Sequence, residues 1–288
     1  MDGYVNRHAS IEARLKMKER CEMITVFTPT YNRAHTLQRL YESLKSQTYK
    51  DFEWLVVDDG SMDSTADLIE AFQRENVVDI RYFYITNGGK HRAINFGIQR
   101  ARGELFFIVD SDDYLPSNAL EIIWKYWSSL DDEESYAGVV FRRYDVAKGK
   151  VIGPELDKKE FDSNCIEFAN KYGSFDKAEV FLTNVLKNYR FPEIEGEKFV
   201  PEGFMWDIIS SDHKMRFVDQ VVYFCEYMED GYTKNFKKNF MSNPKGFRVA
   251  YKYIFTNKQY KLSRRLKAFI RIIQSYYYSW RKAVLGRK

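Results

Sequence analysis

The chain has 288 residues, 44% hydrophobic, 30% charged and 17% aromatic, a composition that excludes a disordered chain and gives enough length to bury a sizeable core. Its longest uninterrupted apolar runs, such as residues 105–109, are only a few residues long, far below the roughly 18–20 needed to cross a bilayer. The net charge of +4 conceals an asymmetry: beyond Asp230 there are 16 Lys and Arg and no Asp or Glu, against 29 basic and 41 acidic residues before that point.

Residues 1–22 form an N-terminal extension with charges where a signal peptide needs its apolar segment, so a cytoplasmic protein is expected. Residues 23–28 (MITVFT) are a short β-branched-rich run that Pro29 is expected to end, a buried strand feeding a loop. Residues 36–47 place Leu37, Leu40, Tyr41 and Leu44 at helical spacing, and residues 51–57 return to strand character before Asp58–Asp59–Gly60–Ser61. A helix over 64–75, a strand over 80–85, the Asn87–Gly88–Gly89 turn, a helix through Ala101 and a strand over 105–109 follow. This alternation predicts an α/β fold with a mostly parallel sheet covered by helices, because parallel strands need crossover connections. Ligands of such sheets bind beyond the carboxyl ends of the strands, so the loops at 29–33, 58–61 and 110–113 should share one rim. Neither GxGxxG nor GxxxxGK[ST] occurs, which removes the glycine-based dinucleotide and phosphate sites.

The rim carries carboxylates instead. Asp110–Ser111–Asp112–Asp113 places three acids in four positions after an apolar strand, a donor set suited to Mg²⁺ or Mn²⁺ shared with a substrate diphosphate or, alternatively, to capping the helix that begins near Pro116–Ser117. Asp63 and Ser64 fit a turn or helix cap, whereas Asp58 or Asp59 could accept the imide proton of a uracil ring. Cys21, Cys165 and Cys225 are too far apart for a CxxC pair and read as reduced packing residues.

In combination, TVFTPTYNR, WLVVDDGSMDST and NGGKHRAINFGIQRARGELFFIVDSDD resemble the nucleotide-binding half of family 2 glycosyltransferases, which have the GT-A fold and invert anomeric configuration. The resemblance runs from about Met23 to Pro116. It implies that Thr28, Pro29, Tyr31 and Arg33 line the nucleotide pocket, that Asp58 or Asp59 contacts uracil, and that Asp110, Ser111 and Asp112 form the DxD motif, with Asp112 the metal ligand alongside Asp110. Lys90 and Arg92 lie along the donor phosphates or sugar in this reading, or form a solvated helix start. The family's Glu-Asp pair before a Trp corresponds to Pro201–Glu202 ahead of Trp206; the first acid is replaced, and Glu202 keeps a carboxylate in the general-base position. A histidine completing the metal shell in some relatives would be His213; His8 and His35 carry no role. The DGYT string at 230–233 and the NPKG string at 243–246 resemble segments of bacterial members that build surface polysaccharides.

The organisation expected is an extension (1–22), a GT-A domain (23–230) divided into a nucleotide-sugar half (23–116) and an acceptor half (117–230), and a basic aromatic helical extension (231–288). Residues 247–288 alternate Lys or Arg with Tyr, Phe, Ile and Trp, which predicts two or more amphipathic helices. They either lie on an anionic membrane at the inner face of the plasma membrane or cap the catalytic domain with their apolar face. No recognition motif accompanies the charge, so nucleic acid is not an expected partner. The expected partners are a nucleotide-sugar donor, a UDP-sugar by resemblance, and a saccharide or lipid-linked acceptor. A sugar nucleotidyltransferase shares the architecture but would open with a glycine-rich loop that TPTYNR lacks; an inactive nucleotide-sugar-binding scaffold is the alternative outside enzymes.

Overall fold

The computed structural model describes residues 22–131, 135–226 and 235–285; the N-terminal extension, Cys21 and the 230–233 string lie outside them. The first half reads β1 (Ile24–Thr30), α1 (Ala34–Lys45), β2 (Phe52–Asp58), α2 (Thr65–Glu75), β3 (Asp79–Tyr84), α3 (Lys90–Arg100) and β4 (Leu105–Ile108). These four strands are mutually parallel in the order β3-β2-β1-β4. The second half adds α4 (Ala119–Ser128), β5 (Tyr136–Asp145), β6 (Lys150–Val151), β7 (Glu160–Ser163), α5 (Cys165–Tyr172), β8 (Lys177–Leu182), α6 (Thr183–Leu186), α7 (Gly203–Asp212) and β9 (Lys214–Cys225). It continues the same sheet as β4-β8-β5-β9-β7, with β8 antiparallel to both neighbours and β5 parallel to β9. Helices α8 (Phe236–Ser242), α9 (Pro244–Thr256) and α10 (Leu262–Leu285) follow.

β1 and β2 are buried along their whole length, as strands covered on both faces must be. One face packs Leu37, Tyr41, Trp54 and Phe107, the other Phe27, Leu55, Ile94 and Phe106. Pro29 does not end β1, contrary to expectation. The Phe27 carbonyl accepts from Val109 and the Thr30 carbonyl from Asp59, so alternation turns the Pro29 nitrogen toward β4, whose pairing ends at Phe27↔Ile108. No ladder bond is lost there. A buried carboxylate that the sequence reading passed over, Glu53 on β2, accepts from Thr25 Oγ1 (2.7 Å), the Arg102 N–H (2.8 Å) and Arg81 (2.9 Å). Cys165 and Cys225 are free and buried, and burial raises each thiol to about 12.

The C-terminal helices are docked on the α/β body at the NPKG string. Pro244 opens α9 where its missing N–H costs nothing, and the buried Glu197 carboxylate accepts from the N–H groups of Lys245 (2.9 Å) and Gly246 (2.6 Å). A Cβ on Gly246 would stand 2.2 Å from the Phe199 carbonyl, so only glycine lets α9 approach the segment leading to Glu202. Glu197→Ala would strand two helix N–H groups, and a loss of about 1–3 kcal/mol of stability is expected. Thermal melting checks this, an unchanged melting temperature being the contrary result.

Candidate active site

A cleft of about 1180 Å³ lies at the carboxyl ends of β1, β2 and β4. It is lined by the three loops expected to share a rim, by residues 198–207, and by α8, α9 and the first turn of α10. The loops after β1 and β2 are sewn together. Asn32 adopts the left-handed conformation (φ 53°), which asparagine tolerates better than most residues. Its N–H donates to Ser61 Oγ and its side-chain oxygen accepts from Met62, both at 2.8 Å. Pro29, Tyr31 and Arg33 line the cleft. Thr28 does not; it is fully buried, and its hydroxyl accepts from Trp54 Nε1 at 2.9 Å.

The adjacent aspartates have opposite fates. Asp58 is turned inward with no exposure, its carboxylate accepting from the Ser61 N–H and the Tyr82 hydroxyl, both at 2.7 Å. Asp59 lines the cleft and accepts from the N–H groups of Gly88 and Gly89, both at 2.7 Å. Burial raises Asp59 above the usual carboxylate range despite these donors. The turn it holds admits no side chain at Gly89, where φ is +98° and a Cβ would meet the Lys198 carbonyl at 1.9 Å. Lys198 itself lines the cleft and donates to Asn87.

That turn delivers Lys90, the first residue of α3, into the centre of the cleft. Its ammonium lies 2.6 Å from Asp110 and 2.8 Å from Glu202. Burial works against the Lys90 charge, but Asp110 and Glu202 outweigh it and hold the amine protonated. Glu202 is pushed upward by burial first and by Asp110 next, with Lys90 opposing. Asp110 is half-buried, which works against its charge, yet Lys90 and Arg143 keep it below the usual range. Arg92 faces away; it does not line the cleft, and its Nε is 3.8 Å from Glu193. Between them His91 is 1% exposed, and neither ring nitrogen has a hydrogen-bond partner among the described residues.

Burial lowers the His91 pKa from 6.5 to about 4. Only the unfolded chain then binds this proton between those values, so stability should fall as pH drops from about 6.5 to 4. His91→Gln should remove a share of about 3 kcal/mol of that decline, measurable by denaturant unfolding across the window. Parallel pH profiles for the two proteins would contradict this.

Ser111 is buried in the cleft wall, while Asp112 and Asp113 diverge in role. Asp113 is anchored by the Tyr223 hydroxyl at 2.7 Å and the Glu226 N–H at 3.3 Å. Tyr223 in turn accepts from the Asp110 N–H at 3.0 Å, and the Arg143 guanidinium lies 4.0 Å from its ring centre. Asp113 therefore fixes the loop to β9. Asp112 is raised by burial and by the charge of Asp110, with Arg33 and Lys90 opposing. Both carboxylates are oxygen donors of the kind a hard divalent cation takes, and the Lys90 ammonium already lies against one of them. His213 does not join them. It caps the far end of α7, about 16 Å along the helix axis from Glu202, and does not line the cleft. Among the described residues no group of three or more His, Cys, Asp or Glu side chains is arranged to hold a metal.

The cleft is also lined by the charged side chains of Lys177, Glu179, Asp207 and Arg264, and Asp207 accepts a hydrogen bond from Tyr260. Lys198, Arg143 and Tyr223 escaped the sequence reading. The first had a signal, being a cation four residues before Glu202, whereas the others reach the site from remote strands with no local motif.

Residues 25–179 match the model of glycosyl transferase family 2, more than half of the chain, and the protein belongs to that family. The chain is 36% identical over 111 residues to glycosyltransferase GlyG of Streptococcus pneumoniae, covering 38% of this chain and 36% of that protein. It is 29% identical over 194 residues to the GalNAc(5)-diNAcBac-PP-undecaprenol beta-1,3-glucosyltransferase of Campylobacter jejuni, covering 64% and 58%. The chain thus spans less than two thirds of either relative. The fold resembles that of Staphylococcus aureus TarS residues 1–349 in complex with UDP, with TM-score 0.59, 20% identity and coverage of 87% of this chain and 70% of that one. It also resembles the mannosyltransferase PcManGT of Pyrobaculum calidifontis in complex with GDP-Man and Mn²⁺, with TM-score 0.55, 16% identity and coverage of 91% and 75%. The architecture is that of the GT-A glycosyltransferases.

Proposed function

We propose that the cleft transfers a sugar from a nucleoside-diphosphate donor, a UDP-sugar, to an acceptor hydroxyl with inversion at the anomeric carbon. The observation that carries this reading is the Lys90 ammonium held between Asp110 and Glu202. It sets a cation for the diphosphate beside a carboxylate able to take a proton. In this reading Pro29, Tyr31, Arg33 and Asp59 receive the nucleoside, and Lys90 and Ser111 face the phosphates. Asp112, with Asp110, would hold Mn²⁺ or Mg²⁺; bound there, the ion supplies neutralisation of the departing diphosphate. Glu202 accepts the acceptor hydroxyl's proton as its oxygen bonds to the anomeric carbon and the carbon–oxygen bond to the diphosphate breaks.

Residues 23–116 would then hold the donor and residues 117–230, with Lys177, Glu179 and Asp207 in the cleft wall, the acceptor. A saccharide or lipid-linked acceptor of bacterial surface polysaccharide or glycolipid synthesis, met on the cytoplasmic side, is supported by the lipid-linked substrate in the name of the Campylobacter relative. Calorimetric titration with UDP-, GDP- and dTDP-sugars, with Mn²⁺ and then with a chelator, tests the donor assignment. Binding of a UDP-sugar that weakens at least about tenfold on chelation is expected. No binding of any donor by folded protein would contradict the donor assignment.

A further inference from the structure

Helix α10 is amphipathic, and it turns its wider apolar face away from the protein. Leu262, Leu266, Phe269, Ile273, Tyr277 and Trp280 recur at steps of three and four residues, and each is 45–66% exposed. With Ile270, Tyr276 and Val284, also exposed, they fill an arc of roughly 120° that contains no charged side chain, at 100° per residue. The inward side is mixed: Ile272 is buried, and Tyr278 packs edge-on against Phe240 with ring centres 5.1 Å apart. Ala268 and Ser275 are buried, Ser275 accepts from Arg248 at 3.1 Å, and Lys282 donates to the carbonyls of Ser242 (2.8 Å) and Gly196 (3.0 Å). The helix is therefore anchored by apolar and polar contacts on its narrower inner side, and its wider apolar face, about 36 Å long at 1.5 Å per residue, is left largely to solvent. A continuous stripe of this size marks an interaction surface.

Charge selects its occupant. Lys267 and Arg281 are exposed beside the stripe, and no acidic residue occurs anywhere after Asp230. Two copies meeting face to face would press cation against cation. We infer that α10 docks in the interface of an anionic lipid bilayer, its aromatic and aliphatic stripe among the acyl chains and Lys267 and Arg281 at the headgroups. No helix among the described residues is long and apolar enough to cross a membrane, so the contact is peripheral. Because Arg264 on α10 and Tyr251 and Ile254 on α9 wall the cleft, docking brings the cleft beside the bilayer. Only the consequence, a lipid-borne acceptor reaching Glu202, rests on the transfer reading; the docking itself does not.

Flotation of the protein with vesicles of phosphatidylglycerol and phosphatidylethanolamine, against vesicles of phosphatidylcholine alone, tests this. The parent should bind the anionic vesicles and lose binding as salt rises. The triple variant Leu266→Ser, Ile273→Ser, Trp280→Ser should bind at least about tenfold more weakly with its circular dichroism melt unchanged, since the three side chains are each more than half exposed. Lys267→Gln and Arg281→Gln should each cost about fivefold. Glu202→Gln should bind vesicles as the parent does even if transfer is lost, which separates this inference from the functional reading. Equal vesicle binding by parent and triple variant would overturn the inference, as would equal affinity for phosphatidylcholine. So would a parent that ignores vesicles but sediments as a dimer the triple variant dissolves.

Discussion

Glu202→Gln should lower turnover by about a thousandfold, within the range of roughly 10² to 10⁴ that a positioned general base contributes, while donor affinity stays within about threefold. Glutamine keeps the shape of the side chain and its acceptor oxygen for Lys90, which lies 2.8 Å from the present carboxylate. What it lacks is the basicity to take the acceptor's proton. Glu202 stands at the N-cap of α7 without capping it through its side chain, so the helix has little reason to fray in the variant. Turnover is read as nucleoside diphosphate released, and donor affinity by calorimetry. A variant that turns over at near the parental rate would remove Glu202 from the chemistry, and one that no longer binds donor would recast it as a structural partner of Lys90.

Asp112→Asn should abolish the Mn²⁺-dependent part of donor binding and reduce turnover at least about a thousandfold, without destabilising the fold. The reason is electrostatic. Burial and the neighbouring Asp110 charge raise Asp112, so its ionised form costs folding energy that the neutral amide does not. The melting temperature without metal should therefore hold or rise. Retained metal-dependent binding in a folded Asp112→Asn protein would move the cation to other ligands. Asp110→Asn is a less clean probe, because it also removes the carboxylate 2.6 Å from Lys90.

The rim of the site was legible because each strand of the first half stops abruptly at polar residues, and strand ends on a parallel sheet share one side. Lys90 and Arg92 could not be told apart by type, yet two residues on a helix differ by about 200°, so only one faces the cleft. A similar limit applied to Asp58 and Asp59, where successive strand-end side chains take opposite sides and the first is consumed by Ser61 and Tyr82. His213 failed for a reason of length, since α7 stands between it and Glu202. The Lys90–Glu202 contact joins residues more than a hundred positions apart and leaves no local signal. Nor did the tail's composition say which face of α10 would turn outward; that depended on Ser275 and Lys282 finding inward partners.

The central claim is inverting transfer at the anomeric carbon, and the stereochemistry of donor hydrolysis tests it without knowledge of the acceptor. Proton NMR of the sugar first released from a UDP-α-sugar, read before mutarotation, should show the β anomer, with water having attacked from the face opposite the diphosphate. Release of the α anomer first would contradict inversion, and release of sugar 1-phosphate would replace sugar transfer with nucleotidyl chemistry.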